Sequence, residues 1–192
     1  VPITGEPAVP PDQYGDDRFF VYIRLSDDDN ARTDVQVEGI RCSGQPLVQL
    51  DMVDAYDLGR EFFCWEFAVA IAGAVLGINP FDQPDVQRAK DQTKSGIHEY
   101  EKSSTPPKFT ESTSLRDLVS QANPGDYLAI LAYTRETHKL NQAIQELRKK
   151  VMERCRIATT FGYGPRYLHS TGQLHKGGPN TGLFLHVTET EI

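Results

Sequence analysis

Tyr127-Leu128-Ala129-Ile130-Leu131-Ala132-Tyr133, followed closely by Glu136 to Cys155, decides the fold class of this chain. The first run is short and apolar throughout, as a strand buried on both faces must be. The second carries Leu140, Ile144, Leu147 and Val151 at three- and four-residue spacing, the period of an amphipathic helix. The same alternation continues outward. Arg156 to Thr160 reads as a strand, and Leu183-Phe184-Leu185-His186-Val187 as the last one. Toward the amino end, Arg18 to Leu25 is aromatic and β-branched, another strand. Asp27-Asp28-Asp29-Asn30 then caps a helix that runs to about Cys42 and stops at Ser43-Gly44, and Pro46 to Leu50 forms the next strand. Strand, helix, strand at this spacing predicts a right-handed parallel crossover. Gly59 to Gly77 reads as one helix with Phe62, Phe63, Trp65, Phe67, Val69, Ile71, Val75 and Leu76 on nearly every face, which predicts a buried central element. Asn79-Pro80 ends it, and Pro84 opens a further helix reaching about Tyr100. Helices alternating with short buried strands predict an α/β fold with a mostly parallel sheet flanked by helices.

Bulk properties narrow the function. The 192 residues suit one sizeable domain, with a linker or insertion at 102–112 around Pro106-Pro107. A net charge of −7 argues against a nucleic-acid binder but leaves room for an anionic small substrate held by local cations. The three cysteines, Cys42, Cys64 and Cys155, are odd in number and form no Cys-x-x-Cys pair, so a reducing cytoplasm is expected. The apolar run Phe67 to Ile78 is too short to span a membrane, and no signal peptide opens the chain. A start at Val1 in a proline-rich lead-in is expected of a piece of a longer polypeptide.

Two stretches carry possible chemistry. In Gly77-Ile78-Asn79-Pro80-Phe81-Asp82-Gln83-Pro84-Asp85-Val86-Gln87-Arg88-Ala89-Lys90, a tight turn leads into a helix start, where free N–H groups favour anions. Lys90 lies about two turns in; it either reaches back toward that start or is a solvated surface lysine. Phe161 to Asn180 gathers Arg166, His169, Ser170, Thr171, His175 and Lys176 among many glycines. Such a stretch is either a ligand loop or a long surface loop. Other motifs fail. His169 and His175 lack a third metal ligand nearby, the acidic run lacks the glycine and glutamate of a calcium loop, and Gly162-Tyr163-Gly164 lacks the third glycine of a dinucleotide fingerprint.

Phe81 to Lys90 resembles the carboxy-terminal signature of glucose-6-phosphate isomerases: Phe-Asp-Gln, then Val three residues on and Lys seven after the Gln. Asp85 and Gln87 stand where many members have Gly and Glu. The preceding Trp65-Glu66-Phe67 and Leu76-Gly77-Ile78-Asn79-Pro80 resemble the helix that leads into it. Leu168-His169-Ser170-Thr171-Gly172-Gln173 resembles the histidine motif of bacterial members. With His175-Lys176-Gly177-Gly178-Pro179-Asn180-Thr181-Gly182, Val1 to Pro7 and Tyr14 to Arg18, it looks most like the fusion of transaldolase with glucose-6-phosphate isomerase. The order is reversed relative to the ordinary isomerase, since here His169 follows Lys90.

The resemblance implies a sugar-isomerase-type sandwich and interconversion of glucose 6-phosphate and fructose 6-phosphate without metal or organic cofactor. It implies ring opening by Lys90 and His169, with Gln83 near the phosphate end. Arg166 and Lys176 are placed in the sugar-phosphate pocket on charge and position alone. The family's base carboxylate, arginine and phosphate loop have no recognisable motif here and are expected in an upstream isomerase domain. Two other readings stay open: a non-catalytic sugar-phosphate-binding module of the same fold, and an interaction domain whose long loop docks a partner.

Overall fold

The chain, in a computed structural model described over residues 3–105, 113–169 and 171–189, forms two units. One is Asp16–Asp82; the other joins Val1–Gly15 to Gln83–Ile192.

In the first unit, β1 (Phe20–Leu25) and β2 (Leu47–Met52) pair in parallel, Phe20 opposite Leu47 and Leu25 opposite Met52. The helix between them, α1 (Ala31–Cys42), starts after the acidic run as the cap signals predict. The Tyr22 hydroxyl donates to Asp34 at 2.7 Å, and the Arg24 guanidinium pairs with the same carboxylate at 3.2 Å. Tyr22, Val37 and Met52 are buried. Val21, Ile23 and Val48 remain exposed.

Next comes α2 (Asp57–Leu76), which Gly77 terminates in the left-handed conformation at φ 67°. Its first turn is anchored. Asp57 accepts from the Val53 N–H at 2.7 Å, and Arg60 donates to the Asp51 carbonyl at 3.1 Å. Its last turn folds back so that the Pro80 ring lies where a Cβ on Gly73 would stand, 2.6 Å away. Between these ends the helix is bare. Glu61 and Gly73 are its buried residues, while Phe62, Phe63, Trp65, Phe67, Val69, Ile71, Val75 and Leu76 are exposed, Phe63 at 69%. The expectation that this helix is buried at the centre of packing is therefore corrected. An all-round apolar surface requires cover, and the rest of the unit Asp16–Asp82 does not provide it.

The second unit holds a three-stranded parallel sheet in the order β4-β3-β5. After α3 (Pro84–Ser103) and the short α4 (Leu115–Ser120) come β3 (Tyr127–Tyr133), α5 (His138–Cys155), β4 (Ala158–Tyr163), α6 (Gly172–Gly177) and β5 (Gly182–Thr188). Ser114 caps α4 by accepting from the Asp117 N–H at 3.1 Å. β3 lies in the middle and is the most buried element: Leu128, Ala129, Ile130 and Ala132 are fully covered. Leu128 and Ile130 face Ile144 and Val151 of α5, together with Ile157. The other face of β3 carries Tyr127, Ala129 and Leu131, with Tyr167, Phe184 and Ile3 against it.

The edge strand β4 is covered by the amino-terminal segment. The Glu6 carboxylate accepts from the Thr159 N–H at 2.8 Å, which occupies an edge donor that would otherwise invite another strand. Arg148, fully buried on α5, donates to the Gly5 carbonyl at 2.7 Å and to the Thr159 carbonyl at 3.0 Å. Burial pulls its pKa down, and the Glu6 charge opposes that.

The expected α/β class, with parallel strands flanked by helices, holds, and the strands divide between two sheets. Within the stretch 102–112, the first two residues belong to α3, and 106–112 lie outside the described residues.

Candidate functional site

The two stretches singled out in the sequence meet in the second unit. Asp85, in the first turn of α3, accepts from the Gln173 amide of α6 at 2.7 Å and pairs with Arg88 one turn on at 3.0 Å. Gly177 lies so close to the Asp85 carboxylate that any side chain there would displace it. The other polar atom of Gln173, its Oε1, is buried without a hydrogen-bond partner. The start of the lysine helix is thus packed on the helix that follows the histidine.

The stretch Gly162 to Pro179, expected as a loop, has more order than that. Arg166–His169 forms a 3-10 turn and Gly172–Gly177 a short helix. The backbone packs tightly enough that a Cβ on Gly162 would stand 2.6 Å from the Cβ of Tyr167. Five glycines in this compact stretch gave a composition that reads like a loop.

The five expected site residues are all at the surface. Lys90 is exposed on α3, and Gln83 is exposed at its N-cap, where its side chain makes no capping hydrogen bond. His169 ends the 3-10 turn, exposed, and Ser170 beside it lies outside the described residues. Lys176 is exposed in the last turn of α6. Arg166 is exposed and pairs with Glu136 at 3.4 Å. Among the described residues, no hydrogen bond or ion pair joins any two of these five. An open depression of about 650 Å³ runs along α3 past Gln87, Arg88 and Asp91 and is lined by neither Lys90 nor Gln83.

A second, more enclosed cluster escaped sequence reading. Tyr127 and Tyr133 stand at the two ends of one face of β3, and Phe184 and His186 on the adjoining face of β5. The Tyr127 hydroxyl is 2.9 Å from His175 Nδ1, and the His175 ring lies 5.4 Å from Phe184 edge to face. The Tyr133 and Tyr167 hydroxyls are 2.7 Å apart, and Tyr133 stacks on His186 with centroids 6.3 Å apart. Burial pulls the His175 imidazole below its ordinary pKa. Burial and the Tyr133 contact together push the Tyr167 phenol well above the usual tyrosine range. Burial thus favours the neutral form of His175, one nitrogen of which is already engaged by Tyr127. The alternation Tyr127, Ala129, Leu131, Tyr133 was the available signal: period two puts both tyrosines on one face.

At the carboxyl ends of the strands, where open α/β sheets tend to bind ligands, Glu189 accepts from the Thr134 hydroxyl and from the Arg135 N–H at 2.8 Å. These bonds hold its carboxyl below the usual range. Among the described residues, no cluster of His, Cys, Asp or Glu is arranged to hold a metal ion. Among the described residues, no helix is long and apolar enough to cross a membrane.

Comparison with known proteins adds local similarity. The chain is 46% identical to the glucose-6-phosphate isomerase of Enterococcus faecalis over 44 residues, 23% of this chain and 10% of that enzyme. It is 42% identical to that of Exiguobacterium sibiricum over 60 residues, 31% of this chain and 12% of the enzyme. It is 47% identical to that of Lactiplantibacillus plantarum over 45 residues, 23% and 10% respectively. The chain thus matches about a tenth of the length of these relatives. No protein-family model matches it, and no solved structure does.

Proposed function

We propose that this chain is part of an aldose–ketose isomerase that interconverts glucose 6-phosphate and fructose 6-phosphate in the cytoplasm, and that it supplies ring-opening groups. The observation that carries the reading is the local similarity to glucose-6-phosphate isomerases. The packing of the two motif-bearing segments through Asp85 and Gln173 supports it.

The reaction has two parts. Opening the ring moves a proton from the C1 hydroxyl and delivers one to the ring oxygen as the C1–O5 bond breaks. Isomerisation then removes the C2 proton, passes through an enediolate and returns a proton to C1. In the first part Lys90 and His169 serve as the acid–base pair, an imidazole being suited to exchange protons near neutrality. Gln83 lies toward the phosphate, and Arg166 and Lys176 add positive charge to the sugar-phosphate pocket, although Arg166 must share its charge with Glu136. The carboxylate for the second part comes from an upstream isomerase domain, in a polypeptide that also carries a transaldolase. The 192-residue chain alone is then inactive or nearly so.

The test is to compare His169→Ala with the parent protein on two substrates: the cyclic sugar phosphate and an analogue that cannot close. The account expects slow turnover of the first and little change in C1–C2 proton exchange on the second. An equal fall on both places His169 in proton transfer or in loop support. No fall on either removes it from the reaction.

A non-catalytic sugar-phosphate-binding module is the second reading. The match to only a tenth of the relatives' length favours it. It predicts saturable binding of glucose 6-phosphate with no turnover in the intact polypeptide.

A further inference from the structure

An edge strand presents unpaired N–H and C=O groups to any extended chain. β4 is such a strand, and its Thr159 is bonded to the amino-terminal strap, residues 3–6, and to Arg148. The Thr159 N–H donates to a Glu6 carboxylate oxygen at 2.8 Å, and the Thr159 hydroxyl donates to the same oxygen at 3.1 Å. Arg148 donates to the Thr159 carbonyl and hydroxyl, to the Gly5 carbonyl at 2.7 Å and to the Thr4 carbonyl at 3.5 Å. Gln145 adds a second donor to the Gly5 carbonyl at 3.2 Å. Thr159 and Arg148 are both fully buried. One buried cation, one edge residue and one amide thus hold two consecutive carbonyls and a carboxylate. Gly5 stands between those carbonyls at φ 59°, in the left-handed region that favours glycine. The pattern held is glycine followed by an acidic residue, and Gly5-Glu6 is the only Gly-Glu pair in the chain.

We propose that Arg148, Thr159 and Gln145 form a peptide-recognition site that is filled in cis by residues 3–6 and, in a second state, by the same segment of a second copy of this chain, so that two copies exchange straps. Charge complementarity chooses the occupant. Without the strap, Arg148 is a buried cation that has lost its carbonyls and the neighbouring carboxylate, a costly state. A replacement must bring a carboxylate directly after a glycine, and the strap of another copy does so by identity. Exchange makes the same bonds that it breaks, which is why swapping an identical element is a low-cost route to a dimer. The connection suits it. Pro7, Pro10 and Pro11 take three of the five positions after Glu6, and their fixed φ angles favour a stiff, extended arm. Which copy supplies the strap then depends on chain concentration relative to the effective concentration of the tethered segment. The proposal uses neither Lys90 nor His169 and stands apart from the isomerase reading.

The test has two readouts on the full chain. In sedimentation, a dimer should appear whose fraction rises toward chain concentrations of about 1 mM, the order of the effective concentration of a short tether. An excess of a peptide of residues 3–10 should dissolve it by filling both sites. A chain that stays monomeric up to that concentration overturns the proposal. So does a dimer that the peptide leaves intact, since it uses another surface. In the second readout, the labelled peptide is titrated into the Glu6→Ala chain, whose own strap competes less. Saturable binding is expected, tighter than to the unsubstituted chain. A peptide carrying Glu6→Gln should bind roughly tenfold or more weakly, the scale of a lost hydrogen bond to a charged group. The two peptides are also compared on the unsubstituted chain, so the result stands whether or not Glu6→Ala folds. Binding of neither peptide, or equal binding of both, overturns the proposal.

Discussion

β3 and residues 62–76 of α2 are both largely apolar, and they finish in opposite surroundings. β3 lies between β4 and β5 with helix α5 on one face and the aromatic layer of Tyr167, His175 and Phe184 on the other. Each of its apolar side chains has found neighbours. α2 is fastened at Asp57, Arg60 and Gly73 and exposes most of the rest. Apolar composition states what a segment needs. Whether the need is met depends on which other segments are present, and a three-stranded sheet with crossovers meets it where a two-stranded one does not.

Substitutions turn that contrast into energies. Ile130→Ala empties a fully buried site and should cost about 2–5 kcal/mol in denaturant unfolding of the chain. A smaller loss would mean that the core of β3 is looser than its burial suggests. Arg148→Leu should cost a comparable amount, at about 1–3 kcal/mol for each carbonyl left without its donor, since Gly5 and Thr159 both lose one. It should also free residues 3–6 from the β4 edge, visible as proteolysis near Gly5. Phe62→Ser on bare α2 should change the stability of the isolated chain by within about 0.5 kcal/mol. A loss comparable to that of Ile130→Ala would abolish the contrast.

A further prediction concerns pH. The folded state depresses the His175 pKa, so the unfolded chain takes up that proton first as the solution is acidified. Stability contributed by the neutral ring is present above about pH 6.5 and is lost as pH falls from there through the folded pKa. His175→Phe should flatten this part of the pH–stability curve. An unchanged slope would place its origin elsewhere.

How much of this could be read from residues alone depends on the kind of signal. The elements were legible because periodicity and caps are local: β3 spans the seven residues expected, α1 starts after Asn30, and Pro84 opens α3. The short α4 was missed because its six residues hold too little periodicity, although Ser114 and Asp117 form its cap. The environment of α2 was misjudged because burial depends on distant partners. The contact between Asp85 and Gln173 joins residues 88 positions apart and has no local signature. His175 was passed over for His169 because motif resemblance marks the latter, whereas the former is distinguished by packing against Tyr127, Tyr167 and Phe184.

The central claim is that this chain contributes a group to sugar-phosphate isomerisation, and Lys90 is where it is most exposed to test. The measurement is steady-state turnover of glucose 6-phosphate by the intact polypeptide and by its Lys90→Ala variant, with product coupled to a dehydrogenase. The account predicts that turnover falls by roughly 10²-fold or more, the scale of a lost acid–base group. Because Lys90 is exposed and makes no salt bridge among the described residues, the fold should be unaffected. Turnover equal to that of the unsubstituted protein would make Lys90 an ordinary surface lysine and contradict the account.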